Sequence, residues 1–147
     1  MEFVATCPKG FEKLLAEELA SFRIPQVRQL RGQVSFGGEL ADAYRACLWS
    51  RLASRILLVL ARVADALYEG IQSVDWSGHL APGATFVIDS HGTNDNLRNT
   101  QFVALRSKDA ISDQLFSARG MRPVVNTDAP DVTIDVRLSR DRATVAI

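Results

Sequence analysis

Arg98–Gly120, RNTQFVALRSKDAISDQLFSARG, is the stretch on which the reading of the second half turns. It is the longest run there with helical periodicity. At ideal pitch Val103, Ala104, Ala110, Ile111, Leu115 and Ala118 fall within one arc of roughly 140°, the face expected to meet a core. Phe102, Leu105 and Phe116 form a second flank, so the helix is expected to be covered on more than one side. The polar run before it, SHGTNDN (Ser90–Asn96), offers Asn94, Asp95 and Asn96 as caps for the orphan N–H groups of the first turn. Gly120 supplies the left-handed exit. Arg98, Asn99, Thr100 and Gln101 gather at the positive end of the helix dipole, an arrangement suited to a phosphate.

Outward on the C-terminal side lies a Pro-bounded loop, Met121–Pro130. Asp131–Leu138 then places Val132, Ile134, Val136 and Leu138 on one face, as in a half-buried strand. A turn at Arg140-Asp141 returns the chain into Ala143–Ile147. On the N-terminal side, Thr85–Asp89 reads as a strand and Ala66–Val74 as a short helix. Trp76 and Leu80 suggest an apolar lid before the Pro82-Gly83 turn.

The first 63 residues form a separate pattern. Glu2–Cys7 is a strand, and Phe11–Phe22 an amphipathic helix with Phe11, Leu14, Leu15, Leu19 and Phe22 inward. Glu12, Lys13, Glu17 and Glu18 are expected to stay wet. Gln26–Leu30 and Gln33–Phe36 pair around Arg31-Gly32, Glu39–Trp49 is a second helix, and Arg55–Val63 (RILLVLARV) a central strand. The order β-α-β-β-α-β is the ferredoxin-like plan. The expectation is an α+β chain of two parts, residues 1–63 and 64–147.

Composition is that of an ordinary globular protein: 147 residues, 47% hydrophobic, 23% charged, formal net charge zero. That balance argues against a generic polyanion-binding surface but not against a local patch. Residues 98–122 hold Arg98, Arg106, Lys108, Arg119 and Arg122 against Asp109 and Asp113, a surplus of +3 beside the long helix. No signal peptide or apolar span of membrane length is legible, which implies a cytoplasmic protein without a membrane partner. Cys7 and Cys47 read as buried thiols. The chain stops at TVAI within an apolar strand, as a fragment of a longer protein would.

The runs LWSRLASRILL (Leu48–Leu58), PGATF (Pro82–Phe86), GTNDNLRNTQFVALRSKDAI (Gly92–Ile111) and RPVVNTDAPDVTIDVRL (Arg122–Leu138) resemble one family. It is the N-terminal region of bacterial large-subunit ribosomal RNA guanine-N2 methyltransferases, a ferredoxin-like subdomain followed by a THUMP domain. The resemblance implies an RNA-binding module that holds a structured stem-loop of large-subunit ribosomal RNA. A covalently linked methyltransferase domain, absent from these residues, would use S-adenosylmethionine; the present stretch would carry no cofactor. It also implies RNA contacts at Asn94, Arg98, Asn99, Thr100, Arg106, Lys108, Arg122 and Asn126.

Read without that resemblance, these residues carry blander roles. Arg106 is three before Asp109 and suits a local ion pair. Lys108 has no acid one turn away and suits a solvated lysine. Arg98 at a first turn opposes the dipole and is easier to explain beside an anion. The large aromatics sit at core spacings. Catalytic signals are lacking: neither a cofactor-binding glycine turn nor an Asn/Asp-Pro-Pro-aromatic loop occurs. His79 and His91 are twelve apart with no Cys, His or Glu at ligand spacing, which argues against zinc. The rival readings are a scaffold or dimerisation domain that docks a catalytic domain without touching RNA, and a small acyl-phosphate hydrolase around the partial cradle Cys7–Gly10.

Overall fold

In the computed structural model, residues 1–63, 66–92, 99–139 and 142–147 are described. The chain divides into two compact units, Met1–Val59 and Leu60–Ile147.

The first unit contains β1 (Glu2–Thr6), α1 (Glu12–Ser21), β2 (Arg28–Leu30), β3 (Gln33–Gly37), α2 (Leu40–Trp49) and the start of β4 (Arg55–Val63). Its strands lie in the order β2-β3-β1-β4, all antiparallel, with Phe3 opposite both Phe36 and Leu58. This is the split βαβ arrangement, in which the hairpin strand β3 slots between β1 and β2. Phe3, Leu15, Leu19, Val34 and Phe36 are almost fully buried, and the rings of Phe3 and Phe36 stack at 5.3 Å. Each such side chain contributes about 1.5–3 kcal/mol by leaving water.

Two acids on α1 are not wet. The Glu12 carboxylate is 9% exposed and accepts from the backbone N–H groups of Gly10 (2.8 Å) and Gly32 (2.9 Å). It ties the start of α1 to the β2–β3 turn, where Gly32 takes a φ of 73°. Glu18 accepts from Ser50 Oγ at 2.6 Å and from Arg51 N at 3.0 Å, closing the turn after α2. Conversely, Phe11 and Leu14 are exposed. Periodicity cannot register that short loops offer unpaired N–H groups, and a carboxylate satisfies those better than a leucine does. Cys47 is exposed on α2 and Cys7 half-buried, so the pair is not a buried one.

The second unit takes in the last residues of β4, α3 (Leu67–Gln72), a 3-10 turn (Trp76–Gly78), β5 (Thr85–His91), α4 (Thr100–Arg119), β6 (Val124–Val125), β7 (Val132–Ser139) and β8 (Arg142–Ala146). The sheet order is β8-β7-β5-β6, with β5 parallel to both β6 and β7 and β7 antiparallel to β8. Parallel β5 and β7 require a crossover, which α4 supplies. α3 and α4 pack on the apolar face of this sheet through Ile71, Trp76, Phe86, Val103, Ile111, Leu115, Ile134 and Val145.

Trp76 and Leu80 are fully in this core rather than a lid over it. Trp76 Nε1 donates to Ile71 O at 2.8 Å, and Gln114 joins α4 to the chain after α3 by accepting from Trp76 N and donating to Gln72 O and Val74 O. The inward arc of α4 includes Ser107 and Ser112 but not Ala118, which is exposed. Ser107 is tolerated there because its hydroxyl donates to Val103 O at 2.7 Å. The second flank, Phe102, Leu105 and Phe116, is about half exposed at each position, so it is not covered as expected. Tyr44, Trp49 and Phe11 likewise lie outside the core. The Met121–Pro130 loop contains β6, a two-residue strand too short to show periodicity.

Candidate nucleic-acid interface

The entry of α4 is built by Asn99. Its backbone is extended and its Oδ1 accepts from Gln101 N at 2.9 Å and Phe102 N at 3.2 Å, while its carbonyl accepts from Val103 N. Capping thus falls to Asn99; Asn94, Asp95 and Asn96, and the basic candidate Arg98, lie outside the described residues. Three N–H groups of the first turn are already satisfied, so a bound anion there meets the dipole end and exposed side chains rather than a ring of free donors. Thr100 is exposed, and its carbonyl accepts from Ser90 Oγ at 2.8 Å, which ties α4 to the end of β5.

Along one side of α4, Gln101, Ala104, Leu105 and Lys108 follow the i, i+3, i+4, i+7 spacing of a single stripe. Together with Val87 and Ile88 of β5, Val125 of β6 and Thr127 beyond it, they line an open groove of about 180 Å³. The Asn126 side chain is consumed in shaping that rim: its Oδ1 accepts from Asp128 N and Ala129 N, and its Nδ2 donates to Ala129 O. Lys108 is not the solvated lysine expected: its Nζ pairs with the adjacent Asp109 Oδ1 at 3.3 Å.

Arg106 is two residues from Lys108 and therefore about 200° around the helix. It lies over the Tyr68 ring at 4.3 Å, not beside Asp109. Tyr68 OH donates to Asp113 Oδ2 at 2.7 Å and Arg122 donates to Asp113 Oδ1 at 3.1 Å, with its guanidinium over Phe116. The Asp113 carboxylate pushes the Tyr68 hydroxyl above its ordinary pKa, because the acceptor favours the protonated phenol. The expected contact residues therefore separate: Lys108 and Asn126 adjoin the groove, Asn99 and Thr100 stand at the helix entry, and Arg106 and Arg122 belong to a network on another side.

A further polar cluster is assembled across two strands. Asp89 and His91 alternate onto one face of β5, and Asp135 of β7 is in register with Asp89. His91 Nε2 lies 3.2 Å from Asp89 Oδ2 and 3.5 Å from Asp135 Oδ2, the latter on a buried side chain. The three donors lie within 4.8 Å of one another, close enough to share a divalent cation, yet Arg137 is in register with His91 and brings positive charge to the same face. His91 thus ends a strand between two carboxylates. The Asp-x-His spacing in a strand was the available signal; Asp135 needed the register.

The family model described as the RlmL ferredoxin-like domain matches residues 2–57, and that of the THUMP domain matches residues 61–147. The ribosomal RNA large subunit methyltransferase K/L of Methylococcus capsulatus is 43% identical over 150 residues, covering 99% of this chain and 20% of that protein. The chain thus spans about a fifth of the length of this relative. Among solved structures, SMU.472 complexed with SAH has a TM-score of 0.81 at 25% identity, covering 99% of this chain and 40% of that one. A 4-thiouridine synthetase in complex with RNA and ATP has a TM-score of 0.65 at 10% identity, covering 99% and 40%, a likeness of fold alone. The chain is a member of the THUMP family, with an RlmL-type ferredoxin-like domain ahead of its THUMP domain.

Proposed function

We propose that this chain is the RNA-holding part of a ribosomal RNA methyltransferase, acting in the cytoplasm. Its THUMP unit grips a structured element of large-subunit RNA so that a target guanine reaches a separate S-adenosylmethionine-dependent domain. The observation that carries the reading is the groove of a THUMP unit, bordered by Lys108, Gln101 and Thr127 and adjoining the Asn99–Thr100 entry of α4. Asn94 and Arg98, next to that entry in sequence, extend the proposed phosphate contacts. Arg106 and Arg122 reach RNA only from the other side of α4, and Asn126 acts by shaping the rim. The chemistry is positional: cations and dipole ends hold the backbone, and catalysis resides elsewhere. Binding of the 147-residue chain to a stem-loop RNA over a salt series tests it. Affinity should fall steeply with salt, and no binding at low salt would overturn the reading.

A second reading draws on α2. Leu40, Tyr44 and Leu48 expose an apolar stripe, with Leu48 80% exposed, and Trp49 at the helix end is 67% exposed. Such a stripe suits a unit that docks against protein. Photocrosslinking to RNA separates the two: adducts confined outside residues 99–127, together with self-association abolished by Leu48→Lys, would favour docking.

A further inference from the structure

We infer that the groove between α4 and β6 receives a single unpaired base of the RNA, which makes it a reader of bulged or looped nucleotides rather than of duplex shape. The inference rests on the RNA-holding reading and deepens it. Three observations carry it. The groove's floor is apolar, formed by Ala104, Leu105 and Val125, with Leu105 51% and Val125 44% exposed. An A-form duplex presents phosphates, 2′-hydroxyls and base edges to a protein, and none of these matches an aliphatic floor; a splayed base offers a face that does. Its volume of about 180 Å³ is close to the apolar cavity of about 150 Å³ that holds one benzene ring, enough room for one planar ring system. Gln101, Thr127 and Lys108 stand among the lining residues: the Gln101 amide and the Thr127 hydroxyl can each donate and accept, as base edges require, and Lys108 is paired with Asp109 at 3.3 Å. A mostly apolar bed with a few two-way hydrogen-bonding groups beside it is complementary to a base and poorly matched to an anion alone.

The test compares one RNA hairpin with and without a single-nucleotide bulge, titrated against the 147-residue chain, with 4-thiouridine at the bulge for crosslinking. The bulged RNA should bind severalfold more tightly than the paired hairpin. Crosslinks should map to residues 101–108 or 124–127. Ala104→Leu, which fills the groove from a partly exposed position, should remove the preference between the two hairpins. Leu105→Ser at an exposed site should weaken the preference without that filling. Lys108→Ala should weaken both RNAs. Equal affinity for the two hairpins, or a preference that survives Ala104→Leu, overturns the inference while leaving the RNA-holding reading standing. Self-association disrupted by Ala104→Leu, with no preference between RNAs, assigns the groove to a second copy instead. Failure of both hairpins to bind overturns the RNA-holding reading itself.

Discussion

Glu12 illustrates how one side chain sets a local structure that its pattern position would not suggest. Its own backbone N–H and that of Gly32 hold the carboxyl below the usual carboxylate range. A folded-state pKa depressed in this way contributes stability above the unfolded value, about 4.3, and loses it as pH falls through the folded value. Glu12→Gln should therefore lower the melting temperature at neutral pH, and the gap from the parent should narrow as pH is lowered toward 3. A gap that stays constant across that range would show that the ionised form does not matter. Tyr68 gives the opposite sign. Its phenol should ionise at higher pH than free tyrosine in an ultraviolet titration, and Asp113→Asn should bring that ionisation back down.

At the scale of elements, α4 depends on its two ends as well as its inward face. Asn99→Ala should cost about 1 kcal/mol in denaturant unfolding, whereas Asn99→Asp, which keeps the acceptor and suits the dipole, should cost little. Ile111→Ala, in the centre of the buried arc, should cost about 2–5 kcal/mol. Gly92, after β5, has a φ of 79°, and a Cβ there would collide with the Leu138 carbonyl. Gly92→Ala should thus destabilise the unit beyond the roughly 1 kcal/mol of a left-handed alanine, because backbone on the β7 side must move. Thermal unfolding that matched the parent would contradict the close approach of these strands.

For the whole molecule, the salt dependence of RNA binding reports how many phosphates the surface engages. Lys108→Ala should reduce the slope of log affinity against log salt by about 1, and Arg106→Ala, turned toward Tyr68 and Asp113, should change it less. Much of this organisation was legible in the chain. The alternation in Val132–Leu138, the arc in α4 and the β-α-β-β-α-β order of the first part depend on local periodicity, and burial of one face follows from that period wherever the partner lies. The left-handed exit at Gly120 was equally local, since only glycine adopts that φ without strain. What the sequence could not decide were the outcomes of competition between distant groups. Which polar side chains go inside depends on which backbone N–H groups are left unpaired, and for Glu12 and Glu18 those include Gly32 and Arg51, 20 and 33 residues along the chain. Which basic residues share a surface depends on helix rotation, and that places Lys108 beside the groove and Arg106 away from it. The meeting of Asp135 with Asp89 and His91 depends on strand register, which only the packed sheet sets. Periodic burial is a property of a segment; satisfied charge and a shaped groove are properties of the fold.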